Sequence, residues 1–310
     1  MANIALVGLG NLGSRHLQGL VKCMEKLAIR MIDPSPASVL TARSRWSECG
    51  GDQSGHVLLE EDLPAYNVAI IATTADRRIS AMKSLSAAAE VATWVVEKPV
   101  AQSLSDLARI ESLVAGPAWV NTTRRLIPWH REIADEIARL PGPFEVLVSG
   151  GSWGLACNAV HFIDLARWWT GSEPVDIDVR GLEKHWHDSK RPGYVDVYGT
   201  LLIAFSDGSN LTLVSTLDGG PHKIELRADG KRYQLEEGNG RFVRPDGTEL
   251  PGRMAYQSEL TGQLVDQIIV GREPGLPALA SIAAVERLLL SALIPHRMAD
   301  GGPADRLDVT

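Results

Sequence analysis

The sequence predicts an α/β protein in two parts. An N-terminal doubly wound parallel (Rossmann-type) sheet is followed by an α+β domain with a mostly antiparallel, open-faced sheet. Three observations carry this expectation. Strand-like and helix-like segments alternate over residues 1–120. A glycine-rich turn joins the first strand to the first helix. Beyond residue 120 the alternation gives way to strands punctuated by hairpin signals.

The elements follow in order. Asn3–Val7 is an apolar run rich in strand formers, and Ser14–Val21 opens an amphipathic helix. Leu27–Ile32 is a second strand, Ser38–Trp46 a helix and Gly50–Gly55 a loop. Tyr66–Thr73 is nearly all apolar, as expected of a parallel strand covered on both faces. Helix over Arg78–Ala89, strand over Trp94–Glu97, helix over Ser105–Val114 and a last strand at Trp119–Val120 complete a first domain of residues 1–120. In a second domain of residues 121–310, helices are expected at Pro128–Leu140 and Asn158–Thr170, with Gly171 as the stop. Phe144–Gly150 is a strand between them. Tyr194–Phe205 and Asn210–Thr216 flank one turn, and Lys223–Ala228 and Lys231–Leu235 flank Asp229-Gly230. Helices over Gln257–Val270 and Ala278–Leu293 close the second domain, and the segment from Ala299 onward reads as frayed.

Composition excludes several classes. The chain has 310 residues and a net charge of −7, without the positive stripe that nucleic acid requires. No run of about 18 apolar residues suggests a membrane span. The first strand begins too early to leave room for a signal peptide. Cys23, Cys49 and Cys157 are scattered and read as reduced thiols of a cytoplasmic protein. No metal-ligand spacing appears; His185 and His187 alternate on one expected strand and share a face, but a metal role would need more ligands than can be placed.

Gly8-Leu-Gly10-Asn11-Leu12-Gly13 is a complete G-x-G-x-x-G between a strand and a helix. That order puts backbone N–H groups at a helix N-terminus, where a dinucleotide pyrophosphate binds. Asp33 ends the next strand, near the spacing of about 20 residues expected for the acid that binds the adenosine ribose. A carboxylate there accepts hydrogen bonds from both ribose hydroxyls and repels a 2′-phosphate, which favours NAD over NADP.

Two further groups stand out. Glu97-Lys98-Pro99 follows a Rossmann-type strand, whose carboxyl end faces the ligand crevice. Spacing alone also admits an ordinary surface lysine. His161 and Asp164 stand three apart on one helix face, a plausible proton-transfer pair. A surface ion pair or a satisfied core histidine fits that spacing equally.

The order of these motifs resembles the glucose–fructose oxidoreductase, inositol dehydrogenase and rhizopine-catabolism (Gfo/Idh/MocA) family. The resemblance rests on Gly8–His16, Ala72–Thr74, Glu97–Ala101 with Ser103, Asn121–Arg125 and His161–Asp164. It implies an NAD(P)-dependent oxidoreductase acting on a secondary alcohol of a sugar, sugar acid, sugar phosphate or nucleotide sugar. It implies that Lys98 holds the reacting hydroxyl, that His161 is the general acid/base, and that Asp164 binds substrate or orients His161. Thr73 and Thr74 would line the nicotinamide ribose or pyrophosphate region, and Glu97 would support the cofactor side. The second domain would bind substrate and pair subunits through its sheet, giving a homodimer or homotetramer.

The chain departs from the family pattern. Cys157 and Ala159 replace the first two residues of the usual Asp-x-Gly-x-His-x-x-Asp. Asn158 between them either contacts substrate or caps the helix. The usual histidine after Thr73-Thr74 is absent, with Arg77 and Arg78 nearby. Arg124, Arg125 and Arg131 add positive charge that would suit an anionic substrate, with Arg125 as the contact. An imine or enone reductase on the same fold, and an inactive NAD-binding regulator, stand as alternatives.

Overall fold

The computed structural model describes residues 1–310. The chain forms two compact units. The first comprises residues 1–101, 105–126 and 255–281; the second comprises 102–104, 127–254 and 282–310. The division therefore differs from a single boundary at residue 120. The chain returns to the first unit for residues 255–281.

The first unit is built on a six-stranded parallel sheet. Its strands are β1 (Ala2–Val7), β2 (Leu27–Ile32), β3 (Val57–Leu59), β4 (Val68–Ile71), β5 (Trp94–Val96) and β6 (Ala118–Val120), in the order β3-β2-β1-β4-β5-β6. This is the Rossmann order, with its switch point between β1 and β4. All residues of β4 and β5 are buried, which explains their continuous apolar sequence. A short parallel pair, Ala65–Tyr66 with Glu90–Val91, lies outside the sheet.

The helices are α1 (Asn11–Leu20), α2 (Pro36–Glu48), α3 (Ala75–Ala88), α4 (Leu104–Leu113) and α7 (Gln257–Ile269), the last following α5 and α6 below. Ser35 caps α2, accepting from the Ser38 N–H, with Pro36 in the first turn. α1 and α7 pack so closely that a Cβ on Gly19 would lie 2.7 Å from Thr261 Cβ. That helix–helix contact is why α7 belongs to this unit despite its distance in sequence.

The second unit carries α5 (Pro128–Ile137), α6 (Leu155–Thr170), α8 (Leu279–Ala299) and an eight-stranded sheet. The strands are β7 (Glu145–Gly151), β8 (Pro174–Leu182), β9 (Gly199–Phe205), β10 (Asn210–Thr216), β11 (Lys223–Ala228), β12 (Lys231–Glu236), β13 (Arg241–Val243) and β14 (Glu249–Pro251). Their order is β8-β9-β10-β7-β11-β12-β13-β14, antiparallel except for β10 beside β7. Alternate residues are buried, as in β10, where Leu211, Leu213 and Ser215 face inward. Asp229 and Gly230 both adopt positive φ, the backbone that a two-residue hairpin between twisted strands requires.

Several expectations need correction. The segment from Ala299 onward is not frayed: Leu307 and Val309 are buried and the backbone around them is hydrogen-bonded. Asp300 anchors the start of that segment by binding the His185 ring and the Trp186 N–H. His185 and His187 do not share a strand, because only His187–Asp188 pairs, with Val195–Asp196. α8 is long and apolar enough to cross a membrane by length and composition. Half of that window is buried within the fold, and the buried Ile282, Val285, Leu289 and Leu293 recur at helical spacing.

Candidate active site

Parallel strands place their carboxyl ends along one edge of the first sheet. Gly8 follows β1, Asp33 follows β2, Ala72–Thr74 follow β4, Glu97-Lys98 follow β5 and Asn121 follows β6. Topology alone thus brings the expected cofactor residues of this unit to one side.

The glycine turn is fixed by sterics. Gly8 has φ +89°, and a Cβ on it would lie 2.7 Å from the Thr73 nitrogen. A Cβ on Gly13 would sit 1.7 Å from the Gly8 carbonyl oxygen. Gly10 is different: a Cβ there meets nothing within 4 Å. Gly10 is also the N-cap of α1 and offers no side-chain cap, so the exposed Asn11 and Leu12 begin a helix whose first amides are not side-chain-capped. Asp33 is half-buried and binds the glycine turn with one oxygen and the start of α2 with the other. Oδ2 accepts the Leu9 N–H at 2.6 Å and Oδ1 the Ser35 N–H at 2.8 Å. A carboxylate has about four acceptor sites, so lone pairs remain for a ligand hydroxyl.

Thr73 Oγ1 is buried and has no hydrogen-bond partner. Thr74 is the N-cap of α3 and makes no side-chain cap bond. A buried hydroxyl without a partner is costly unless a ligand completes it. The open space at Gly10 and the orphan Thr73 hydroxyl together fit a dinucleotide, with its pyrophosphate at the α1 N-terminus and Asp33 at the ribose.

Below Lys98 lies a polar network that the sequence reading missed. The buried His16 ring contacts Glu97 Oε1 through Nε2 at 2.8 Å and Thr261 Oγ1 through Nδ1 at 3.0 Å. Asn121 Nδ2 donates to Glu97 Oε1 and to Gln257 Oε1. Gln257 Nε2 donates to Thr261 Oγ1 at 2.9 Å. The Glu97 carboxylate is therefore held by His16 of α1 and by Asn121 after β6, both braced by α7, beside the half-buried Lys98. The Lys98–Pro99 peptide is cis.

Arg78 was also missed as an anchor. It is 1% exposed and donates to the main-chain carbonyls of Thr73, Pro99 and Val100, tying the loop after β4 to the loop after β5. Its neighbour Arg77 is exposed beside Asp76. A signal existed for His16: it occupies a core position of α1 beside Gly13 and Leu17, where a polar side chain needs a partner. Arg125 is half-buried and Arg124 buried in a 3-10 turn, Thr123–Leu126, after β6.

In the second unit, α6 carries the other expected residues. The helix begins at Leu155, three residues before the expected start, with Gly154 as N-cap. Asn158 is thus within the helix, and its Nδ2 donates to the Trp153 carbonyl at 2.7 Å, holding the entry turn. The capping carboxylate comes from elsewhere: Asp196 Oδ1 accepts the Ala156 N–H at 2.9 Å. Burial pushes the Asp196 carboxyl above its ordinary value, opposed by backbone N–H bonds from Ala156, Val197 and Leu155. Phe162, Leu165, Ala166 and Trp169 are buried, as expected of the core stripe. Cys157, His161 and Arg167 are half-buried. Asp164, on His161's face, is buried at 2% exposure, with Arg167 Nη1 at 3.7 Å. No group of three or more His, Cys, Asp or Glu side chains is arranged to hold a metal ion.

No family model matches the chain, and no curated protein matches it. Solved structures do. An oxidoreductase from Agrobacterium radiobacter, in complex with NAD+, L-tartaric acid and magnesium, aligns at TM-score 0.71 and 17% identity, covering 97% of this chain and 96% of that one. The chain has the fold of this oxidoreductase. Myo-inositol 2-dehydrogenase from Lactobacillus plantarum aligns at TM-score 0.66 and 17% identity, covering 97% of each chain. UDP-N-acetylglucosamine 3-dehydrogenase from Acidithiobacillus ferrooxidans aligns at TM-score 0.66 and 13% identity, covering 96% of this chain and 97% of that one. Identities this low establish the shared fold from end to end, and the chemistry must be argued from the residues.

Proposed function

We propose that the chain is an NAD-dependent oxidoreductase of the Gfo/Idh/MocA type, interconverting a secondary alcohol and a ketone on a sugar, sugar acid, sugar phosphate or nucleotide sugar. The observation that carries this reading is the row of Gly8–Gly13, Asp33, Thr73 and Lys98 along the carboxyl edge of one parallel sheet, with open space at Gly10. The Agrobacterium oxidoreductase of the same fold holds NAD+, and the inositol and nucleotide-sugar dehydrogenases of that fold support a sugar-type substrate.

NAD supplies the hydride acceptor. The residues do the rest. Gly10, Asn11 and Leu12 offer backbone N–H groups to the pyrophosphate, and Asp33 takes the ribose hydroxyls. Thr73, Thr74 and Glu97 support the nicotinamide side. Lys98 holds the reacting oxygen and favours the negative charge that develops on it. His161 accepts the hydroxyl proton in oxidation and returns it in reduction. Asp164 orients His161 or binds substrate. Arg125 receives an anionic group, and Asn158 secures the entry to α6. The open face of the second sheet, where Leu202, Thr212, Leu147, Glu225 and Gln234 lie side by side in register, is the surface through which subunits pair.

The test is calorimetric titration with NAD+ and NADP+, followed by turnover on a panel of free sugars, sugar acids, sugar phosphates and nucleotide sugars. NAD+ binding with turnover of one panel class is expected. Binding without turnover would favour the regulator, and turnover of imines or enones alone would favour the reductase.

A further inference from the structure

We propose that Leu307–Thr310 is a positioning strap that fixes the first turn of α6, and through it His161. The inference rests on the reading of His161 as the proton-transfer group.

The segment is held along both edges, and within it the Val309 N–H turns back onto the Leu307 carbonyl at 2.8 Å. The Leu307 N–H donates to the Gln102 carbonyl at 2.8 Å, and the Asp308 carbonyl accepts the Val195 N–H at 2.9 Å. Gln102 Nε2 donates to the Val309 carbonyl at 2.8 Å. Leu307 is 1% exposed and Val309 2%, while Asp308 between them pairs with Arg306 at 2.9 Å. Buried and part-exposed side chains therefore alternate along it.

Both edges lead to the proposed chemistry. Val195 precedes Asp196, the carboxylate that caps α6 through the Ala156 N–H. The Thr310 carbonyl accepts from Cys157 Sγ, and Arg191 reaches Thr310 Oγ1 at 3.4 Å. Cys157 and His161 are four apart on one helix face. The strap thus meets α6 directly at Cys157 and indirectly, through Val195 and Asp196, at Ala156, both in the turn before His161. On its other edge it binds Gln102, four residues after Lys98.

A helix start is the part of a helix that frays, because its first N–H groups have no intrahelical partners. Gly154, the N-cap, has no side chain to supply one. Asp196 does so instead, and the strap holds the backbone beside Asp196 in place. Proton transfer is sensitive to displacements of about 1 Å, so loosening this turn reaches His161 without touching substrate.

Thiol chemistry reads the strap directly. Cys49 is exposed, and burial, with the Asp266 charge second, pushes Cys23 up to about 12. In a Cys49→Ser background, Ellman's reagent therefore reports Cys157. In Leu307→Ser/Val309→Ser, Cys157 should react about tenfold faster or more, since labelling follows exposure. The NAD+ dissociation constant should stay within about twofold, while kcat falls about tenfold with a smaller change in KM. The His161 ring resonances should shift, and Leu307→Met, which keeps a buried apolar side chain, should leave every reading at its wild-type value. Unchanged His161 resonances and kcat in a folded variant would overturn the proposal, even where Cys157 labelling rises. If the double variant does not fold, Gln102→Ala removes only the bond to Val309 and should move the same readings in the same direction; no movement there also overturns it. A wild-type protein that turns over nothing would overturn the proposed function, while the His161 resonances still decide the strap.

Discussion

The starts of α1 and α6 are built alike and finished differently. Each helix has a glycine N-cap that makes no side-chain cap bond. At α6 the chain supplies its own carboxylate, Asp196, to the Ala156 N–H. At α1 no carboxylate arrives; Asp33 binds the Leu9 and Ser35 N–H groups, and space is open beside Gly10. A helix N-terminus favours negative charge in either case. Where the protein fills it, the helix is held and can position a side chain. Where the protein leaves it open, it can receive the phosphates of a ligand.

The sharpest way to break this comparison lies within the glycine turn. Gly13→Ala would drive a Cβ into the Gly8 carbonyl, so the first unit should unfold or melt far below wild type. Gly10→Ala meets no protein atom, so thermal melting should be nearly unchanged while NAD+ affinity falls about tenfold or more. Equal effects of the two substitutions on melting would contradict an open ligand space at Gly10. Next in size, Asp33→Ala should reduce the preference for NAD+ over NADP+ about tenfold, read by titration with both. An unchanged ratio would remove Asp33 from the ribose. At the filled helix start, Asp196→Ala should cost about 1 kcal/mol in a denaturant melt, as for other lost caps. No loss would mean that α6 needs no carboxylate.

How much of this was legible in sequence follows from how local each feature is. β2, β10 and β11 were expected at the residues where they occur, because alternation and turn residues act within a few positions. The candidate cofactor residues form a motif in sequence, and parallel strands carry them to one edge. The network under Lys98 was not legible. His16 meets partners 81 and 245 residues away, and no periodicity encodes that distance. The same holds for α7, which rejoins the first unit through helix packing, and for Leu307 and Val309, whose short apolar alternation is hidden among Gly, Asp and Arg. The α6 start was misplaced because Leu155 and Ala156 carry no cap signal; their partner, Asp196, is 40 residues on.

The smallest expected effect concerns pH. Burial lowers His56 from its ordinary 6.5, and its neutral Nδ1 accepts the Leu27 N–H. The folded state therefore binds a proton less readily than the unfolded chain. The stability this supplies is full above pH about 6.5 and is lost as pH falls through the lower folded value. His296 in the second unit is lowered in the same direction. His56→Asn, which keeps an acceptor without titrating, should partly flatten the decline in melting temperature between pH 7.5 and 5.5, leaving the His296 share. A decline as steep as wild type would contradict the role of His56.

The central proposal is that Lys98 and His161 each serve the oxidation of an alcohol by NAD. Its most direct measurement is steady-state turnover of Lys98→Ala and His161→Ala on the panel compound that wild type accepts, with NAD+ binding measured in parallel. Each variant should lose about 10²-fold or more in kcat/KM, and His161→Ala should keep its NAD+ affinity. Near-normal turnover in both would contradict the account and leave only the dinucleotide site.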